Sequence, residues 1–142
     1  MKSRIPYLML ALLLAALALA GCGGAAAPAP AADQAALEDL PQTVDVDTVY
    51  ELRNNPDVYL LDVREQDEYD ESHIPNITLL PMSTIQNRVD EIPTDKTVIV
   101  TCRTGNRSSQ VAEFLRANGF ENVHNMDGGI VAWENAGYPV ER

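Results

Sequence analysis

Only two cysteines occur in 142 residues, Cys22 and Cys102, and they lie 80 positions apart. A disulfide-stapled scaffold is excluded by that count, as is a cysteine-rich zinc site. Basic residues are scarce, ten against 21 acidic ones, so a surface that grips nucleic acid through its phosphates is not available. Aromatic side chains make up 6%, with a single tryptophan and two phenylalanines, so the core must rest mainly on aliphatic residues. Long hydrophobic runs are missing apart from one, from Tyr7 to Ala20, which is shorter than the roughly 18 residues expected of a spanning helix. Internal repeats are absent. The acidic stretch from Glu65 to Glu71 lacks the alternate-position spacing of a calcium loop and reads as a solvated face, so no metal site is expected.

What is present begins with Met1, Lys2, Ser3 and Arg4, followed by the Leu/Ala run and then Gly21-Cys22-Gly23-Gly24. A basic start, a short apolar centre and a small-residue stop describe a secretory signal over 1–21. Leu19-Ala20-Gly21-Cys22 resembles the lipobox of bacterial lipoproteins, which implies acylation of Cys22 and anchoring in a cell-envelope membrane on the periplasmic or extracellular side. Without residues 1–21, eight basic residues face 21 acidic ones, a net charge of −13. Membrane attachment is then expected from the lipid alone. Residues 22–39 comprise the lipidated cysteine and a tether rich in Ala, Pro and Gly, too poor in apolar bulk to fold. Residues 40–142 are expected to form one domain.

Within that domain short β-branched runs alternate with amphipathic ones. Strands are expected at Thr43–Val46, Val58–Val63, Asn76–Leu80, Thr97–Thr101 and Val123–Asn125. Helices are expected after a cap at Asp47, over Glu65–Glu71, over Ser83–Glu91, from about Ser108 to Gly119, and over Ile130–Ala136. The alternation predicts an α/β fold: a mostly parallel sheet of about five strands with helices on both faces. Ligands in such folds sit beyond the carboxyl ends of strands, where Cys102 falls.

Cys102 opens the segment Cys102-Arg103-Thr104-Gly105-Asn106-Arg107. Backbone N–H groups curled inward, a helix N-terminus and two guanidiniums would favour the thiolate and hold an anion, while Gly105 suits a positive φ. A buried inert thiol would not be followed by five residues that seek water or a ligand. With Cys22 acylated, Cys102 is the remaining free thiol. Asp62, at the end of its strand, reads equally as a hydrogen-bonding support for this loop or as a structural cap. Arg64 and Glu68 are expected to form an ion pair, His73 to sit at the rim or in a structural role, His124 to be merely accommodated, and Trp133 to lie in the core. Gly128 and Gly129 read as either a close approach to the loop or a plain turn.

CRTGNR resembles the C-R-x-G-x-[R/T] pattern of single-domain rhodaneses, the thiosulfate sulfurtransferases. LLDVREQDEY, SHIPNI and MDGGIVAWENAGYPV resemble that family's other signatures, in the same order across 40–142. Ser72 stands where glycine is usual, and Asn76-Ile77 where Gly-Ala is usual. The resemblance implies a single rhodanese-like domain and a persulfide mechanism. In it Cys102 is the nucleophile, the N–H groups of Arg103, Thr104, Gly105, Asn106 and Arg107 hold the transferred sulfur, and the Arg103 and Arg107 side chains orient the donor, with Ser108 as a further loop support. Thiosulfate or another sulfane-sulfur donor and a cyanide or thiol acceptor are the implied partners; no metal or organic cofactor is needed, and a monomer is expected. A sulfur carrier or sensor that does not turn over is the alternative. Related phosphatases and arsenate reductases place an arginine six positions after the cysteine, where this chain has Ser108.

Overall fold

The structure, a computed structural model, describes residues 36–142. The expected signal and Cys22 lie outside the described residues, as do residues 22–35 of the expected tether. Within the segment expected to be a tether, residues 36–38 are helical and Leu37 is buried.

The elements follow in the order β1 (Thr43–Val44), α1 (Val46–Leu52), β2 (Val58–Asp62), α2 (Gln66–Glu71), β3 (Thr78–Leu79), two 3₁₀ turns (Ile85–Asn87 and Val89–Glu91), β4 (Thr97–Thr101), α3 (Asn106–Ala117), β5 (Val123–Met126) and α4 (Gly129–Asn135). Five strands form one sheet in the order β1-β5-β4-β2-β3, and every pairing is parallel. β4 lies at the centre with all five residues buried, as a β-branched run covered on both faces requires.

Side chains alternate between the faces. Leu61, Val98 and Val100 point to one face, where Val111, Ala112 and Leu115 of α3 and Ile85 and Ile92 of the 3₁₀ region cover them. Leu60, Ile99 and Met126 point to the other, against Val49 of α1 and Trp133 of α4. Helices therefore cover both faces, as the sequence pattern predicts.

Local capping departs from expectation in two places. Asp45, not Asp47, caps α1, its carboxylate accepting from Thr48 N at 2.7 Å. Asp47 falls instead in the first turn, where its charge suits the helix dipole and its Oδ1 accepts from the Tyr138 hydroxyl at 2.6 Å. The helix expected over Ser83–Glu91 is broken into the two 3₁₀ turns, with Arg88 between them at φ −134°.

Candidate active site

Cys102 leaves the sheet from its central strand. Two-residue alternation puts its side chain on the Val98 and Val100 face, and it is 1% exposed. The chain then turns through Arg103 and Thr104 to Gly105, whose φ of 95° makes it the residue preceding α3. A Cβ there would lie 3.3 Å from Gly128 N and 3.5 Å from Met126 O, so both conformation and space favour glycine. Helix α3 starts at Asn106 rather than Ser108, because this glycine, and no capping side chain, ends the loop. Arg107 and Ser108 consequently sit in the helix's first turn.

That arrangement surrounds the sulfur with donors. Gly105 N–H donates to Cys102 Sγ at 3.2 Å and the buried Ser108 hydroxyl donates at 3.3 Å. Burial pushes the thiol up, but the hydroxyl of Ser108 and the backbone N–H groups of Ser108, Thr104 and Gly105 outweigh it and hold the thiol below its ordinary value. Two carbonyls of the loop, one of them in the peptide that carries the Thr104 N–H, turn towards α4. Ile130 N–H donates to Cys102 O at 2.9 Å and Val131 N–H to Arg103 O at 3.2 Å, which ties the loop to the start of α4. A Cβ on Gly129, at φ 58°, would lie 2.4 Å from Cys102 O. The close approach considered for the glycine pair is thus real: Gly129 packs on the loop carbonyls and Gly128 N lies against Gly105, while a Cβ on Gly128 itself would meet Ala132 Cβ at 2.5 Å within its own turn.

The arginines are partnered differently from expectation. Arg107 forms a bidentate pair with Glu68, Nη1 to Oε2 at 2.6 Å and Nη2 to Oε1 at 2.7 Å, across 39 residues of sequence. The pair holds the Glu68 carboxyl down at about 2, and Arg107 rises in response, with a smaller contribution from the adjacent Cys102. Arg64 does not pair with the Glu68 carboxylate. Its fork lies on Asp62, Nε to Oδ2 at 3.0 Å and Nη2 to Oδ2 at 2.7 Å, and its remaining donors reach Glu68 O and Ser72 O. The Asp62 carboxylate also accepts from Arg64 N at 3.0 Å, so it serves the segment after β2, and its hydrogen bonds do not go to the cysteine loop.

Arg103, Thr104 and Asn106 are exposed. Arg103 lines a cleft of about 140 Å³ together with Glu68, Glu71, Val131 and Glu134. A larger hollow of about 340 Å³ lies at the far end of the sheet, among Asp57, Lys96 and Asn122 ahead of β2, β4 and β5, and does not concern the cysteine. Among the described residues no group of three His, Cys, Asp or Glu side chains is placed to hold a metal ion.

The remaining candidates are structural. His73 bonds Tyr69 O through Nδ1 at 2.9 Å, stacks on the Tyr69 ring and bridges to the Glu141 backbone. His124 lies between Pro41 O and Asn122 Oδ1, each at 2.7 Å. Trp133 is fully buried and donates to Pro139 O. Asn76 adopts φ 62°, a left-handed conformation that asparagine tolerates, which explains how it stands where glycine is usual. Glu68 is the residue whose role at the site went unread, since nothing local signals a partner 39 positions away.

The sequence profile described as the rhodanese-like domain matches residues 45–136. A protein of Allochromatium vinosum named sulfurtransferase is 40% identical over 89 residues, covering 63% of this chain and 83% of that one. Thiosulfate sulfurtransferase GlpE of Pseudoalteromonas translucida is 37% identical over 86 residues, 61% of this chain and 82% of its own. The crystal structure of a rhodanese-related protein from Thermoplasma volcanium superposes with a TM-score of 0.66 at 33% identity, covering 71% of this chain and 98% of that one. With the profile spanning well over half of its length, the chain belongs to the rhodanese-like domain family.

Proposed function

We propose that the protein is a sulfurtransferase that carries sulfane sulfur on Cys102. The observation that supports this most directly is the pair of donors, Gly105 N–H and the Ser108 hydroxyl, on a sulfur next to two carbonyls, Cys102 O and Arg103 O, that are bound to α4. Such a site favours a thiolate over a thiol and has room in its charge balance for a second, anionic sulfur. The names of the relatives, sulfurtransferase and thiosulfate sulfurtransferase, point the same way.

In this reading the Cys102 thiolate attacks the outer sulfur of thiosulfate. The new Sγ–S bond forms as the donor's S–S bond breaks, and sulfite leaves with the bonding pair. The resulting persulfide anion rests under the loop N–H groups from Arg103 to Arg107. A cyanide carbon or an acceptor thiolate then attacks the terminal sulfur and returns Cys102 as thiolate, so one hard transfer becomes two easier ones. Ser108 occupies the position where the related phosphatases carry their arginine, and its buried hydroxyl is spent on Sγ, which argues for sulfur over phosphate.

Continued thiocyanate production from thiosulfate and cyanide is the expected result with purified protein, abolished by Cys102→Ser. A single stoichiometric burst would identify a carrier instead. Activity retained in Cys102→Ser, or hydrolysis of p-nitrophenyl phosphate exceeding sulfur transfer, would overturn the assignment.

Export and lipid anchoring through Cys22 belong to the same proposal and rest on residues 1–24. Intact mass of the membrane fraction should show a chain beginning at an acylated Cys22. A Cys22→Ser chain that stays membrane-bound would refute the anchor.

A further inference from the structure

We infer that Glu68 determines which sulfur donors the Cys102 site accepts, cancelling the charge of Arg107 and so favouring donors with one negative charge or none over dianionic thiosulfate. This rests on the sulfurtransferase reading and narrows its substrate class.

Of the three arginines near the loop, two are committed to carboxylates. Arg64 is buried and its fork lies on Asp62. Arg107, partly exposed, has both terminal nitrogens on the two oxygens of Glu68. The Glu68 carboxyl, held down to about 2, stays ionised throughout the physiological range, so the pair carries no net charge. Only Arg103 presents a guanidinium at the cleft without a carboxylate partner among the described side chains, and Glu71 and Glu134 share that cleft. A dianion entering there meets Arg64, already neutralised by Asp62, one unpartnered guanidinium on Arg103, and the carboxylates of Glu71 and Glu134. A persulfide or thiosulfonate, delivering the same kind of sulfur with less charge, meets less repulsion. Glu68 acts through Arg107 and the local potential, and is therefore a specificity-determining residue, not one that touches the transferred atom.

Two donors separate charge from chemistry. Thiosulfate gives its outer sulfur to the Cys102 thiolate and releases sulfite; methanethiosulfonate gives the same sulfur and releases methanesulfinate, with one negative charge fewer before and after. We would measure kcat/KM for each, with cyanide as acceptor, in the full chain and in Glu68→Gln, Arg107→Gln and the double variant. The pair's charge is then neutral, positive, negative and neutral in turn. The ratio of thiosulfate to methanethiosulfonate should rise about fivefold in Glu68→Gln, fall by about the same factor in Arg107→Gln and return towards wild type in the double variant. Arg107→Gln keeps the Glu68 bond to Glu65 N, so it decides the matter even where Glu68→Gln folds poorly. A ratio that stays constant while both donors slow together would overturn the inference and leave sulfur transfer standing. If the wild-type chain gains no sulfur atom in mass from either donor, sulfur transfer itself falls, and this inference with it.

Discussion

The hydroxyl of Ser108 and the sulfur of Cys102, six residues apart in sequence, face each other at 3.3 Å across the first turn of α3. A buried neutral donor aimed at sulfur stabilises the anion far more than the thiol, because a hydrogen bond to a charged acceptor is the stronger kind. Ser108→Ala should therefore raise the midpoint of the pH dependence of Cys102 alkylation and slow alkylation at neutral pH by about tenfold. The wild-type midpoint should lie below that of free cysteine, the direction set by the loop donors against burial. An unchanged rate in Ser108→Ala would leave the backbone N–H groups as the whole cause.

Gly129→Ala tests the loop's attachment. The new methyl would meet Cys102 O at 2.4 Å and Arg103 O at 2.6 Å, backbone atoms that cannot swing aside, at a φ that itself disfavours alanine. A loss of about 3 kcal/mol of stability is expected, with sulfur transfer falling further than the folded fraction. Gly119→Ala, also at positive φ but with nothing within 4 Å, should cost only about 1 kcal/mol in the same urea titration.

Asp62→Asn removes the counter-charge of an arginine that is 3% exposed. A buried guanidinium left unpaired should destabilise the fold by about 3 kcal/mol in urea unfolding. Activity per folded molecule should hold, since the Asp62 carboxylate bonds to Arg64 and not to the loop. A lower thiosulfate kcat among fully folded molecules would restore Asp62 to the site.

Acid stability follows from the Glu68–Arg107 pair. Glu68 falls from an ordinary 4.5 to about 2 on folding, so the unfolded chain binds its proton first. Its stabilisation is complete above 4.5 and disappears as pH drops from there towards 2. His124, pushed below 6.5 chiefly by burial, acts with the same sign from a higher starting point, because charging it favours the unfolded chain. Thermal midpoints should fall progressively below about pH 6.5, and Glu68→Gln should flatten the segment below 4.5 while losing about 1 kcal/mol at pH 7. An identical acid limb in Glu68→Gln would show that the pair contributes nothing.

The strand Thr97–Thr101 was readable residue by residue, since five buried positions demand an unbroken apolar and β-branched run with polar ends. So were the parallel sheet and the position of Cys102 beyond its central strand. The start of α3 was not, because a helix preceded by a glycine at positive φ carries no capping side chain to mark it. Arg64 and Glu68 were expected to form an ion pair, yet α2 begins only at Gln66. Arg64 therefore precedes the helix, folds back on Asp62, and leaves Glu68 free for a residue 39 positions on. Contacts of that range are set by how elements pack, which no local pattern records.

The bonds from Ile130 and Val131 to the carbonyls of Cys102 and Arg103 give the last helix a share in shaping the cysteine loop. A chain cut ahead of Gly128 would keep every letter of the CRTGNR segment and lose the two bonds that fix the first carbonyls of the loop. The setting of the Cys102 thiol is written at one address and held from another, nearly thirty residues downstream.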